Sequence, residues 1–423
     1  MLRHLEKLAG PIVIAASLFW ALAPAALAQQ VHLQVAIADP GKTPIADLEE
    51  MVAAFEAEHP NITIEIVNDY GNSFDRLATH IAGGVAPDIL HFYNETPILA
   101  MENGFLLDLT PYLEREGQEI LGDLLPLVLA QVSREGSVYG LPFQTSATGA
   151  IYYNRVMFDQ AGLAHPDGSW DWEEFASSAR RLTRSDGTQI TQIGLAIAPT
   201  GWLWLFPWLV QSGVSFEDPY RVPLDTPEAI RAFEYLRTWI DQEAFGWSNT
   251  RGTFPEQTAA MNFSGSWELT IWANNQIPMG VAEAPSGPAG KATLTNTNII
   301  AINRFTEHPD EAWEFIKWLY SREAQLEYVR RFGMQPVLLS LGYDWVEIVH
   351  ERIRASDHPE VPGIEAFITS SAFAMPQPFF ANSAVIVQYI QPAIAQIMTE
   401  NVAIAPTMEA MVQAAEAFLR EGN

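Results

Sequence analysis

Strand-like and helix-like stretches alternate from the start of the chain, and this alternation narrows the choice of fold more than any other feature. Val31 to Ala38 alternates in polarity and is rich in β-branched residues, Ile45 to His59 carries apolar residues at helical spacing, and Ile62 to Val67 returns to a period of two. A second helix is expected over Ser73 to Ala82, after which Gly83-Gly84-Val85-Ala86-Pro87-Asp88 turns into the apolar strand Ile89 to Phe92. This order predicts a mainly parallel α/β sheet with right-handed crossovers. Further along, Ser137 to Pro142 reads as a short loop between lobes and Gly149 to Asn154 as a strand that begins a second unit. Helices are expected over Trp172 to Thr183, capped by Asp171, and over Pro227 to Gln242, opened by Thr226. Ala284 to Gly290 is turn-rich and reads as a surface loop before another crossing. Pro309 to Ala324 reads as one helix, ended by Gly333-Met334-Gln335-Pro336 at a third crossing.

At 423 residues the chain exceeds what a single core usually holds, so two lobes of roughly 150 to 200 residues are expected. The first segment has the form of an export leader: Arg3, His4 and Lys7 precede an apolar stretch from Ile12 to Ala23, and Ala26-Leu27-Ala28 supplies small residues for cleavage after Ala28. That stretch is shorter than the roughly 20 residues a spanning helix needs. With Cys 0 there is no lipobox cysteine, no disulfide and no thiolate metal site, and a Gram-negative periplasm is the expected compartment. The formal net charge of −28 disfavours nucleic acid and anionic membrane surface as partners. Past the leader the lysines are Lys42, Lys291 and Lys317 alone.

Aromatic residues carry the clearest chemical signal. Trp202, Trp204 and Trp208 fall close together, followed by Trp267 and Trp272, with Phe92-Tyr93 and Phe379-Phe380 far away in sequence. Flat rings suit the C–H-rich faces of pyranoses, although for any one tryptophan core packing is the commoner role. Carboxylates are plentiful, but no spacing picks out a glycosidase pair. The nine histidines show no H-E-x-x-H pattern, and those near helix ends, His308, His350 and His358, read as solvated or capping groups. Gly265-Ser266-Trp267 lacks the frame of a nucleophile elbow, and Gly83-Gly84 has no phosphate-binding context. No cofactor is indicated.

Four segments together resemble the extracellular solute-binding proteins of ABC importers, in the branch of maltose- and other oligosaccharide-binding proteins. They are Ala82 to Ile89; Val138 to Pro142 with Ile151 to Asn154; Ala260 to Trp267; and Glu311 to Leu319. The resemblance implies a two-lobed periplasmic-binding-protein fold of type II, each lobe a mainly parallel sheet flanked by helices, joined by crossing hinge segments. It implies lobe 1 over residues 29–143 and 297–336, and lobe 2 over 144–296 and 337–423. It also implies a monomer that binds a sugar or sugar-like solute between the lobes and delivers it to membrane permease subunits, without catalysis. Asp88 is implied to be architectural. Phe92, Asn94, Glu95, Gln144, Ser146, Trp202, Trp204, Trp267 and Phe380 map to ligand-facing positions. The sequence departs from the family pattern at Ser212-Gly213-Val214 and Asn296-Thr297-Asn298, which bears on ligand choice. A phosphorylated polyol, a cationic solute and a secreted carbohydrate-active enzyme stay open as alternatives.

Overall fold

The computed structural model describes residues 30–37, 45–67, 73–92, 96–148, 150–197, 202–241, 245–247, 253–358, 360–376, 378, 380–382, 384–400 and 402–421, with the backbone alone for 144–148, 197, 202–204, 241, 245–247, 296 and 421. The leader segment lies outside these residues. β1 (Val31–Ala36) and β2 (Ile62–Val67) pair in parallel from Val31 opposite Ile62 to Ala36 opposite Val67, with helix Ile45–Glu58 between them in the chain. The period of two decides which side faces the core. Val31, Leu33 and Val35 are buried, whereas His32 and Gln34 point outward to the Glu65 carboxylate. β3 (Ile89–Phe92) adds to the free edge of β1, again in parallel.

The stretch Ser137 to Pro142 is not a loop between lobes. β4 (Ser133–Arg134) and β5 (Ser137–Val138) form a small hairpin, and Leu141 already opens the long strand β6 (Leu141–Thr148). Local sequence misled because two forces act at long range: Leu141 and Phe143 are drawn into the core, and the β6 backbone finds its partner far along the chain. The second sheet begins with β7 (Ala150–Asn154) and continues with β8 (Arg184–Ser185), β9 (Ile190–Ile197), β10 (Phe245–Trp247), β11 (Ala259–Ser264) and β12 (Met279–Ala282). Its order is β10-β9-β11-β7-β12 with β8 on β9; β9, β10 and β11 are parallel, and β7 runs against both of its neighbours. β13 (Thr293–Ile302) then returns to the first sheet, where β14 (Ala374–Pro376) also pairs with it, giving the order β14-β13-β3-β1-β2.

Each sheet is packed on both faces. In β7, Ile151 and Tyr153 enter a core with Phe175, Trp208 and Trp239, while Ala150 and Tyr152 enter another with Trp272 and Trp345. In the first sheet Ile300 and Ile302 pack with Phe55 and Trp313, and Ala301 packs with Leu90 and Phe92 on the opposite face. β13 belongs to both halves, since Leu294 lies in the Trp208 core and Ile300 in the Trp313 core. Helix Arg322–Phe332 also spans the two, with Tyr328 and Phe332 in one and Val329 beside Trp345 in the other. Val337, Leu338 and Leu341 join the first core.

Helix Trp172–Leu182 starts where expected, at a capping box in which the Asp171 carboxylate accepts from the Glu174 amide at 2.9 Å and the Glu174 side chain accepts from the Asp171 amide. Helix Pro227–Asp241 is opened by Thr226, whose hydroxyl accepts from the Ala229 amide. The helix read over Pro309 to Ala324 is in fact two, Pro309–Leu319 and Arg322–Phe332. Ser321 makes the break, because its hydroxyl accepts from the Ala324 amide at 3.2 Å and so starts a new helix.

Asp88 is used by the fold. One carboxylate oxygen accepts from the Gln34 amide at 2.8 Å and the other from the Thr306 hydroxyl, tying the start of β3 to β1 and to the turn after β13. Asp88→Ala is therefore expected to lower stability by about 1–3 kcal/mol in urea unfolding, and a change within experimental scatter would contradict this. His91 in β3 is fully enclosed, its ring edge-on to Phe143 at 5.1 Å, and burial pushes the imidazole down to about 4. The unfolded chain takes up this proton near pH 6.5 while the folded chain does not, so the His91 contribution is complete above about 6.5 and is lost as pH falls toward 4, by roughly 3 kcal/mol. His91→Leu should flatten the acid side of the stability curve between those values; superimposable slopes for the two chains would refute it.

Candidate functional site

β13 gathers the segments that carry the expected ligand positions. Along one edge Phe92 of β3 stands opposite Ile299, and β14 stands opposite Thr293–Thr295. Along the other edge β6 runs antiparallel, with Gln144 opposite Asn298 and Ser146 opposite Asn296. The ladder slips between Asn298 and Ile299, because Pro142 rather than Phe143 faces Ile299; the extra residue is a bulge, which bends and twists the ribbon where it leaves the first core. Helix Trp202–Gln211 packs against β13, and the 3-10 turn Ser266–Glu268 packs against β6. Four further segments of the chain thus meet on the two-stranded β6–β13 ribbon.

The individual residues are placed differently. Asn94 and Glu95 lie outside the described residues. Gln144, Ser146, Trp202 and Trp204 are located by their backbone, the first two in β6 and the others in the first turn of the helix after β9. Phe92 and Phe380 are each 3% exposed, and their rings lie in different cores: Phe92 with Leu77 and Met101, Phe380 edge-on to Phe216 at 6.5 Å. Trp208 and Trp272 are core residues as well, Trp208 stacking on Phe175 and Trp272 meeting Tyr152 edge-on at 4.6 Å.

Trp267 is half-buried, and the surrounding structure fixes its ring. A Cβ built on Gly265 would fall 2.2 Å from the indole six-membered ring, so the ring lies directly over the glycine backbone and no larger residue fits there. The indole N–H donates to a Glu268 carboxylate oxygen at 3.1 Å. Beneath them the buried Tyr152 hydroxyl donates to the Gly265 carbonyl at 2.8 Å. Burial, and after it the charge of Glu268, push this hydroxyl well above the ordinary phenol range, so it keeps its proton and remains a donor. The arrangement is a rigid aromatic plate with its polar edge satisfied and one face supported, placed beside β6. It can stack on an apolar face of a ligand without first losing side-chain freedom.

Tyr152, Gly265 and Glu268 escaped the sequence reading as supports for Trp267. The glycine and the carboxylate lie within two residues of it in sequence and could have been suspected. Tyr152 could not, since only the antiparallel register that sets it opposite Asn262 brings its hydroxyl under the turn after β11. Among the described residues no group of three or more His, Asp or Glu could hold a metal ion, and no helix is long and apolar enough to cross a membrane.

Comparison with known proteins agrees with this architecture. Residues 40–326 match the family described as bacterial extracellular solute-binding protein. A Brucella abortus protein named only as a binding protein is 25% identical over 331 residues, 75% of this chain and 78% of its own length. The multiple sugar-binding protein of Streptococcus mutans is 21% identical over 310 residues, 67% of this chain and 70% of its own. Among solved structures, an ABC substrate-binding protein from Listeria monocytogenes in complex with cycloalternan superposes with a TM-score of 0.77 at 20% identity, covering 92% of this chain and 99% of that one. The fold is thus the two-lobed, type II periplasmic-binding-protein fold. With two sheets joined by a shared ribbon and a family match over most of its length, the chain belongs to the bacterial extracellular solute-binding proteins.

Proposed function

We propose that the chain is the capture component of an ABC importer, binding a sugar or sugar-like solute between two lobes and passing it to the membrane permease subunits. The lobes are residues 29–143 with 297–336 and residues 144–296 with 337–423, the first sheet extending into the second lobe's segments through β6, β13 and β14, and Val337, Leu338 and Leu341 still packing in the first core. The chain is exported to the periplasm, loses its leader after Ala28 and acts as a monomer. The observation that carries this reading is the Trp267 plate, held over Gly265 and set against β6. The names of two relatives, a multiple sugar-binding protein and a protein in complex with cycloalternan, support a carbohydrate.

In this reading Trp267, with Trp202 and Trp204 across the second lobe, supplies ring faces. Asn94, Glu95, Gln144 and Ser146 take the hydroxyls, and Phe92 and Phe380, enclosed in separate cores, back the cleft rather than touch the guest. The guest binds without chemical change. Its extra contacts in the closed form shift the population toward closure, and only the difference in affinity between the open and closed forms does so. The β6–β13 ribbon, bulged at Phe143, is where the bending is taken up.

A thermal-shift screen of sugars, polyols, phosphorylated polyols and polyamines identifies the class, because a ligand selective for the folded form raises the melting temperature. A sugar is expected to give the largest rise. With that sugar, calorimetry on Trp267→Ala should show affinity weakened at least about tenfold, or roughly 1.4 kcal/mol. A response confined to phosphorylated polyols or polyamines would reject the carbohydrate assignment, and unchanged affinity in the variant would reject Trp267 as the plate.

A further inference from the structure

We propose a second, separate binding site on the outside of the second sheet that takes a small organic cation, an amine or guanidinium carried on an apolar body. A cavity of about 670 Å³ opens between the start of helix Trp172–Leu182, the outward side of helix Pro227–Asp241 and the loop at Ser286–Pro288. None of its lining belongs to β6, β13 or the Gly265–Glu268 turn. The volume falls within the range usual for small-molecule sites.

The aromatic wall is built in advance. Trp172 and Tyr235 lie nearly parallel, 14° apart with centroids 5.3 Å from each other, and both line the cavity. The Trp172 indole N–H donates to Gln211 Oε1 at 2.6 Å, and Gln211 Nε2 donates in turn to the Ala292 carbonyl at 2.7 Å. Tyr235 is braced edge-on by Trp239 at 4.8 Å, and its hydroxyl donates to Glu173 Oε2 at 2.9 Å. The loop closes on this wall through Gly287, where a Cβ would come within 2.7 Å of Gln211 and 2.9 Å of the Trp172 ring.

Charge selects the guest. Asp171, Glu173 and Glu234 line the cavity with one basic residue, Arg231, whose guanidinium is already paired with Glu228 at 2.7 Å; Glu173 is likewise paired, with Arg180 at 3.1 Å, so the charge offered to a guest comes from Asp171 and Glu234. An anion would meet these carboxylates and find the helix start already served by the Asp171 capping box. A neutral apolar molecule would leave the carboxylates unused. A cation over the Tyr235 ring gains both from the ring face and from the acids around it.

Titration calorimetry of the full chain with 2-phenylethylammonium, and with neutral 2-phenylethanol as its isostere, tests the assignment at physiological ionic strength, where diffuse attraction to the −28 chain is screened. Saturable one-to-one binding of the amine is expected, at least about tenfold tighter than the alcohol. The double variant Asp171→Asn with Glu234→Gln keeps a competent helix cap and should bind the amine at least about tenfold more weakly. Absence of saturable binding, equal affinity for the alcohol, or a double variant as tight as the parent each overturns the proposal. Amine binding lost in Trp267→Ala would put the amine in the other site and overturn it as well, whereas failure of the carbohydrate assignment leaves this test unaffected.

Discussion

The antiparallel ladder between β6 and β13 is the interaction on which the rest of this structure depends. Through it the chain leaves one core and returns to it, and both strands belong to a continuous sheet while serving two bodies. The ladder is apolar where it is anchored, at Leu141, Ile299 and Ile300, and polar where it crosses, at Gln144, Thr145, Ser146, Thr295, Asn296, Thr297 and Asn298. Thr295 and Thr297 are nonetheless buried, 2% and 5% exposed, with their hydroxyls 3.4 Å apart. A ribbon of this composition can bend at its middle without exposing a hydrophobic core, and the bulge at Phe143 marks where its regular pairing is already interrupted.

Much of the fold was legible in the sequence, for reasons that can be named residue by residue. The period of two in Val31-His32-Leu33-Gln34-Val35 sorts core from solvent on its own, and the capping chemistry at Asp171 and Thr226 marks helix starts without reference to anything distant. Long-range effects were harder to read. The strand character of Leu141 to Thr148 depends on β13, far along the chain; the break at Tyr320-Ser321 is by contrast local, a serine cap three residues before Ala324 that the unbroken helical spacing concealed.

The site was less legible than the fold. Sequence alone does not tell an aromatic plate from a core ring. Phe92, Phe380, Trp208 and Trp272 all turned out to be enclosed, while Trp267 stays half-open over a glycine. What distinguishes Trp267 is the missing Cβ at Gly265 and the hydroxyl of Tyr152 beneath it, neither of which shows in composition or periodicity. Trp172 carries the same lesson: its ring belongs to a core with Trp208 and Trp239 and also forms the wall of an outer cavity with Tyr235.

That the two bodies swing together about the β6–β13 ribbon over a bound solute is tested most directly by small-angle X-ray scattering on the purified chain, with and without a sugar shown independently to be bound. The account requires the radius of gyration to shrink as sugar is titrated, and to stop shrinking once one sugar is bound per chain. An identical scattering curve for the free and fully occupied protein would contradict it.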